Sequence, residues 1–239
     1  MILFIHIPKT AGTSFREGLA KAVGNKNMIS DYGPDASETD FAIRHLHKQG
    51  IYTPEHVAKI AETRGAKIIC GHFPFSKYHK IYPKATVISF VRDPLQRCYS
   101  EYLHWKRMKG YLEPFDKFIQ IKGMINIQSR WLQGLQENSI IGVGEYYNSS
   151  VQMINKILGL SVPILSLNCN RKKLEKKYSD IEMSKAAVSF FYSLNERDNQ
   201  FYNNIRAQYP EKVTSRLIWN LLTRFRSIAA RITKKYPRK

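Results

Sequence analysis

The chain is poor in cysteine and in acid, and both shortages exclude whole classes of protein. Cys70, Cys98 and Cys169 are odd in number and widely spaced, with no CxxC and no Cys/His ligand pattern. Neither a disulfide framework nor a structural zinc site is supported, no metal is expected, and a reducing compartment fits. No stretch approaches the roughly 18 uninterrupted apolar residues of a membrane-spanning helix. The opening run Ile2–Ile7 reaches Pro8-Lys9 at once, too short for a signal h-region, so a soluble, cytoplasmic protein is expected. Asn148-Ser149-Ser150 matches a glycosylation sequon in form, but without an export signal it is set aside. Internal repeats and low-complexity segments are missing too.

Only 19 Asp and Glu stand against 38 Lys and Arg in 239 residues, a formal charge of +19. Such a field attracts phosphate, sulfate and carboxylate groups. The excess is uneven, because residues 212–239 hold nine basic side chains and no acidic one. With 43% hydrophobic and 12% aromatic residues, disorder is excluded as the main state, and one sizeable domain with an appendage is expected. We place the domain at residues 1–211 and a basic amphipathic helix or tail at 212–239. There Leu217, Leu221, Phe225, Ile228 and Ile232 form a stripe flanked by Arg216, Arg224, Arg231 and Lys234. Docking on the domain, peripheral contact with a membrane and guidance of a polyanionic acceptor are all open to it.

Four short apolar runs rich in β-branched residues predict buried strands at Ile2–Ile7, Lys67–Cys70, Ala85–Val91 and Ser139–Val143, with a weaker fifth at Ile164–Leu167. Helical spacing lies between most of them, at Thr13–Val23, Pro54–Thr63, Leu95–Lys106, Asn126–Leu132 and Tyr147–Leu158. That alternation predicts an α/β fold with a parallel sheet covered on both faces. The stretch Asn25–Thr53, with Asp31, Gly33, Pro34, Asp35, His45 and His47, reads as a long irregular connection and a candidate lid or acceptor loop. Beyond Ser179 the pattern is helical, through Ile181–Tyr192 and Leu194–Gln208.

Two strand–turn–helix segments carry chemistry. In the first, Phe4 to Ser14, the small residues Ala11 and Gly12 let the backbone approach an anion, Thr10, Thr13 and Ser14 offer hydroxyls, and Lys9 adds a full charge to the helix N-terminus. The kinase loop GxxxxGK[ST] is absent, since Lys9 precedes the glycine. In the second, Val87 to Tyr102, Arg92 closes a strand and Ser100 follows two helical turns on, so that a guanidinium and a hydroxyl converge on one anion. Asp93 before Pro94 reads as a helix N-cap rather than a Mg²⁺ ligand. His72, in Gly71-His72-Phe73-Pro74-Phe75 just past a strand, is the candidate general base, with His45 and His47 in reserve on the acceptor side; His6 is expected to point into the sheet.

The PKTxGT[ST] order at residues 8–14 resembles the 5′-phosphosulfate loop of sulfotransferases that use 3′-phosphoadenosine 5′-phosphosulfate (PAPS). The segment Arg92-Asp93-Pro94 to Tyr102 resembles the RDPxxRxxSxY 3′-phosphate motif of the carbohydrate enzymes, those like heparan sulfate 2-O-sulfotransferase in sulfotransferase family 2. The likeness runs from Ile2 to about Tyr209, strong at these two motifs and weak later. It implies a P-loop NTPase-like sulfotransferase fold with a helical C-terminal region, and a GH element whose histidine, here His72, is the base. It also implies nucleotide contacts from Lys9, Thr10, Ala11, Gly12, Thr13, Ser14, Arg92 and Ser100. Asn126-Ile127-Gln128-Ser129-Arg130 resembles the family's NxQxR element, which puts Gln128 and Arg130 near cofactor or acceptor. Arg171 falls in a late loop that touches the nucleotide in relatives, although a solvated basic loop reads as well. Asp198 and Tyr202 match a DxxxY helix with a structural role.

The resulting expectation is PAPS-dependent transfer of a sulfuryl group to a hydroxyl of an acidic glycan or oligosaccharide, with adenosine 3′,5′-bisphosphate as product. Two alternatives remain: a P-loop kinase using Mg-ATP, and a non-catalytic binder of anionic polymer or membrane. No signature of a specific nucleic-acid fold is present.

Overall fold

A computed structural model describes residues 1–167 and 185–209. The expectations for Cys169, Arg171 and the 212–239 tail lie outside these residues. The described residues divide into two compact units, 1–92 with 127–167, and 93–126 with 185–209.

The first unit is built on five parallel strands. They are β1 (Ile2–Ile5), β2 (Met28–Asp31), β3 (Ile68–Gly71), β4 (Thr86–Val91) and β5 (Ile140–Val143), in the order β2-β3-β1-β4-β5. Ile5 is level with Gly71 on one side and with Ser89 on the other, and Asp31 is level with Gly71. Leu3, Phe4 and Ile5 are all fully buried, because helices cover both faces and a strand in that position is apolar throughout. Phe4, Cys70, Ile88 and Phe90 form one core with Phe15 and Leu19 of α1 (Gly12–Val23) and Val151 and Ile154 of α7 (Tyr147–Leu158). Each such side chain contributes about 1.5–3 kcal/mol by leaving water.

Two expectations are corrected. Residues 25–53 are not an irregular loop: they hold β2 and α2 (Phe41–Lys48) before α3 (Pro54–Thr63) begins. The Asp40 carboxylate caps α2 by accepting from the Ala42 N–H at 2.9 Å, and Ile43 is the helix's one buried residue, too sparse an apolar signal for periodicity to register. Ile164–Leu167 is not a strand. Main-chain groups in this region turn to side chains instead. The Asn155 amide holds both the N–H and the C=O of Val162 at 2.9 Å, and the Ser14 hydroxyl both accepts from Leu167 N–H (3.1 Å) and donates to its C=O (3.2 Å).

The described part of the second unit is helical. Asp93 caps α4 (Pro94–Met108), its Oδ1 accepting from the N–H groups of Leu95 and Gln96 at 3.1 Å each, as the Asp-Pro order predicts. Leu95, Tyr99 and Tyr102 pack with Phe118 of α5 (Phe115–Phe118) and with Val188 and Phe191 of the helix Lys185–Leu194, which the helix Glu196–Arg206 follows. Cys98 is buried there, and burial pushes its thiol up to about 12. No helix among the described residues is long and apolar enough to cross a membrane.

Asp31, fully buried at the end of β2, ties the turn after β3 to the sheet. Its Oδ2 accepts from Lys77 Nζ (2.7 Å), Tyr78 OH (2.6 Å) and Tyr52 OH (2.9 Å). Burial alone would raise this carboxyl, but the hydrogen bond and charge of Lys77, helped by the two phenols, hold it below the usual carboxylate range. The stability so gained is present above the unfolded carboxylate pKa and is lost as pH falls through the folded one. Lys77→Met leaves a buried charge unpaired. In urea denaturation it should cost about 3 kcal/mol at neutral pH, and the gap to wild type should close in acid as Asp31 protonates.

Candidate anion cradle and histidine site

The turn after β1 is wound against the preference of its residues. Lys9 and Ala11 have φ of 68° and 77°, a left-handed geometry that costs a non-glycine residue about 1–2 kcal/mol. Strain of this kind concentrates at ligand sites, and alternating backbone hands turn successive N–H groups toward one point, as an anion requires. Ala11 is the N-cap of α1 and supplies no side-chain acceptor, so the positive end of the helix is not neutralised from that position. The turn is held from below by the buried Thr10 hydroxyl, which donates to Ile7 C=O at 2.8 Å. Thr10 and Ser14 thus bond to the protein's own backbone, whereas Thr13 is exposed.

Arg92, the first residue past β4, reaches this turn, and its Nη1 donates to Lys9 C=O at 3.3 Å. Its own main chain is gripped by Gln128 on α6 (Ile127–Trp131): Arg92 N–H donates to Gln128 Oε1 at 2.8 Å, and Gln128 Nε2 donates to Arg92 C=O at 2.9 Å. Gln128 is fully buried, so the amide read from the sequence as a donor toward cofactor or acceptor serves the backbone of Arg92. Arg130, two residues on, is exposed, and the neighbouring Trp131 ring lies 6.4 Å from that of His72.

The strand ends gather three rings. Because Ile5, Gly71 and Asp31 are level across three neighbouring strands, the next residues His6, His72 and Tyr32 emerge side by side, at the lateral spacing of about 4.8 Å between strands. The His72 ring is 4.8 Å from His6 and 4.7 Å from Tyr32, both edge-on. The His72 N–H donates to Asp31 C=O at 3.1 Å, and Gly71 has to be glycine, since a Cβ there would fall 1.8 Å from that same oxygen. His72 is exposed and His6 buried. His6 does not simply point into the sheet: its ring lies against Gly12, where an added Cβ would come 2.0 Å from His6 Cδ2. Burial, then the charges of His72, Arg16 and Lys9, hold His6 well below the usual imidazole range. Arg16 stands 5.5 Å over the Tyr32 ring.

Lys9, Gly12, Arg92, Gln128 and His72 are therefore brought to one edge of the sheet. His45 and His47 are not on a loop but on α2, with ring partners Phe41 (6.4 Å) and Tyr52 (3.8 Å) rather than His72. Ser100 lies half-buried on α4 in the second unit. The sequence reading missed Tyr32 and Arg16. Tyr32 depends on β2, which it missed too, and Arg16 is visible only as the residue one helical turn after Gly12. Among the described residues no group of three His, Cys, Asp or Glu side chains is placed to hold a metal ion.

No protein-family model and no curated protein matches the sequence. Solved structures do. The mouse sulfotransferase SULT7A1 complexed with PAP aligns at a TM-score of 0.46 and 14% identity, over 79% of this chain and 65% of that one. The sulfotransferase from Alicyclobacillus acidocaldarius aligns at a TM-score of 0.53 and 13% identity, over 85% of this chain and 94% of that one, so this chain, with its parallel five-stranded sheet flanked by helices, is similar to it in fold.

Proposed function

We propose that the chain is a sulfotransferase, moving a sulfuryl group from PAPS to a hydroxyl of a carbohydrate and releasing adenosine 3′,5′-bisphosphate. The observation that carries this reading is the contact of Arg92 with the left-handed turn at Lys9, at the carboxyl ends of β1 and β4. There the sheet order switches direction, which is where open α/β sheets bind ligands. The residues fit a doubly charged ligand: a backbone cradle opening α1, an ammonium, a guanidinium, and a glycine whose missing Cβ leaves room for the supporting ring of His6.

In this reading the acceptor oxygen attacks sulfur in line. The new O–S bond forms as the bond from sulfur to the bridging phosphate oxygen breaks, and the electron pair leaves on that oxygen. Lys9 and the α1 N-terminus stabilise the charge that collects there. His72 takes the proton of the acceptor hydroxyl. Arg92, aligned by Gln128, binds phosphate with its planar fork. Ser100 and Arg171 are further nucleotide ligands on the strength of the sequence motifs. Arg130, with the Trp131 ring, is assigned to the acceptor, where a basic site suits an acidic sugar.

Three measurements test this. Adenosine 3′,5′-bisphosphate at about 100 times its Kd, without metal, should raise the melting temperature by about 5 °C; a shift seen only with Mg-ATP would replace the assignment by a kinase. His72→Ala should lower kcat by about 10²- to 10⁴-fold in transfer from labelled PAPS while bisphosphate affinity stays close to wild type, and retention of most activity would remove His72 from the chemistry. Lys9→Ala should lower kcat by about 10²-fold and weaken bisphosphate binding less, because its role is largest as charge moves onto the leaving oxygen.

A further inference from the structure

His6 is packed between the core and the candidate site. One face stacks on Phe4 with ring centroids 5.8 Å apart and planes 8° from parallel. Its Cδ2–Nε2 edge fills the space of the missing Gly12 Cβ, which would lie 2.0 and 2.5 Å from those atoms. Its ring meets His72 at 4.8 Å, and its Nδ1 is 3.0 Å from Tyr32 OH. We propose that His6 is a positioning residue, the spacer that sets the distance between the base His72 and the Gly12 start of the anion cradle, with Tyr32 locking its orientation. The inference rests on the assignment of His72 as base.

The hydrogen bond defines the lock. Burial, then its neighbour Cys70, outweighs Arg16 and keeps the Tyr32 phenol protonated beside Nδ1 of His6. Burial, then the charges of His72, Arg16 and Lys9, keeps the His6 ring neutral. A neutral ring also adds no charge beside Lys9 and Arg16. A shorter side chain at position 6 would remove one of the two edge contacts of His72, and a displacement of about 1 Å at a reacting group is enough to cost about 10²-fold in rate.

Full-length His6→Ala, His6→Phe and Tyr32→Phe test the proposal. The first readout needs no ligand: NMR of the His72 imidazole, assigned by comparison with His72→Ala. The His72 signals should shift and broaden in His6→Ala, shift less in Tyr32→Phe, and return close to wild type in His6→Phe, which keeps the ring volume. The second is transfer from PAPS to a uronic-acid oligosaccharide. His6→Ala should lose kcat about 10- to 100-fold with bisphosphate affinity within about twofold of wild type, and His6→Phe should recover most of that loss. Unchanged His72 signals in His6→Ala, a parallel fall in affinity, or a His6→Phe no better than His6→Ala would each overturn it. Should His6→Ala fail to fold, Tyr32→Phe, which keeps every ring in place, decides by the same signals. If wild type moves no sulfuryl group, the enzymatic assignment fails while the NMR comparison still decides the spacer.

Discussion

Parallel pairing of β1 on both of its sides is the constraint from which the site follows. Ile5 is held level with Gly71 and Ser89 by hydrogen bonds to two neighbours, and the ladder runs one step further, with His6 N–H donating to Gly71 C=O at 2.9 Å. The chain then leaves β1 toward one side of the sheet to form β2, and later crosses from β3 to β4 on the other. The residues just past the paired ends are thereby set close together at one edge of the sheet. His6, His72, Tyr32 and Arg92 are all such residues. Their convergence, from positions as far apart as 6 and 92, is a property of register before it is a property of chemistry.

Most of the sheet was legible because buried parallel strands are apolar on both faces. Four of the five strands fall within two residues of where their runs of Ile, Val and Phe put them, and α3 and α7 coincide with their predicted bounds. The failures have one cause. β2 contains only Met28 and Ile29 as apolar residues before Ser30 and Asp31, and α2 buries a single side chain, so neither offers a period to detect. The false strand at Ile164–Leu167 is the converse. Its apolar residues are real, but Ile164 and Leu167 are exposed, and the Leu167 main chain bonds to the Ser14 hydroxyl.

The candidate site was legible in its motif residues and illegible in the partners to which its supports bond. Lys9, Gly12, Arg92 and His72 stand in motifs whose spacing follows from strand, turn and helix. Gln128, Ser14 and the Asp31 carboxylate act on main chain or on side chains dozens of positions away, and no local rule pairs an amide at 128 with the backbone of residue 92. Such captures stabilise by satisfying groups that would otherwise lie buried and unbonded. They become visible only once the fold has brought the partners together.

The outermost strands, β2 and β5, have four residues each, and β2 is further shielded where the chain doubles back. Asp40 N–H takes the Ser30 carbonyl at 2.8 Å, and the Thr39 hydroxyl takes Tyr32 N–H at 3.0 Å. A foreign strand arriving at this margin meets few vacant amides and carbonyls on which to build a sixth row. A protein that carries so many β-branched residues in its middle is thereby given little tendency to grow sideways into aggregates.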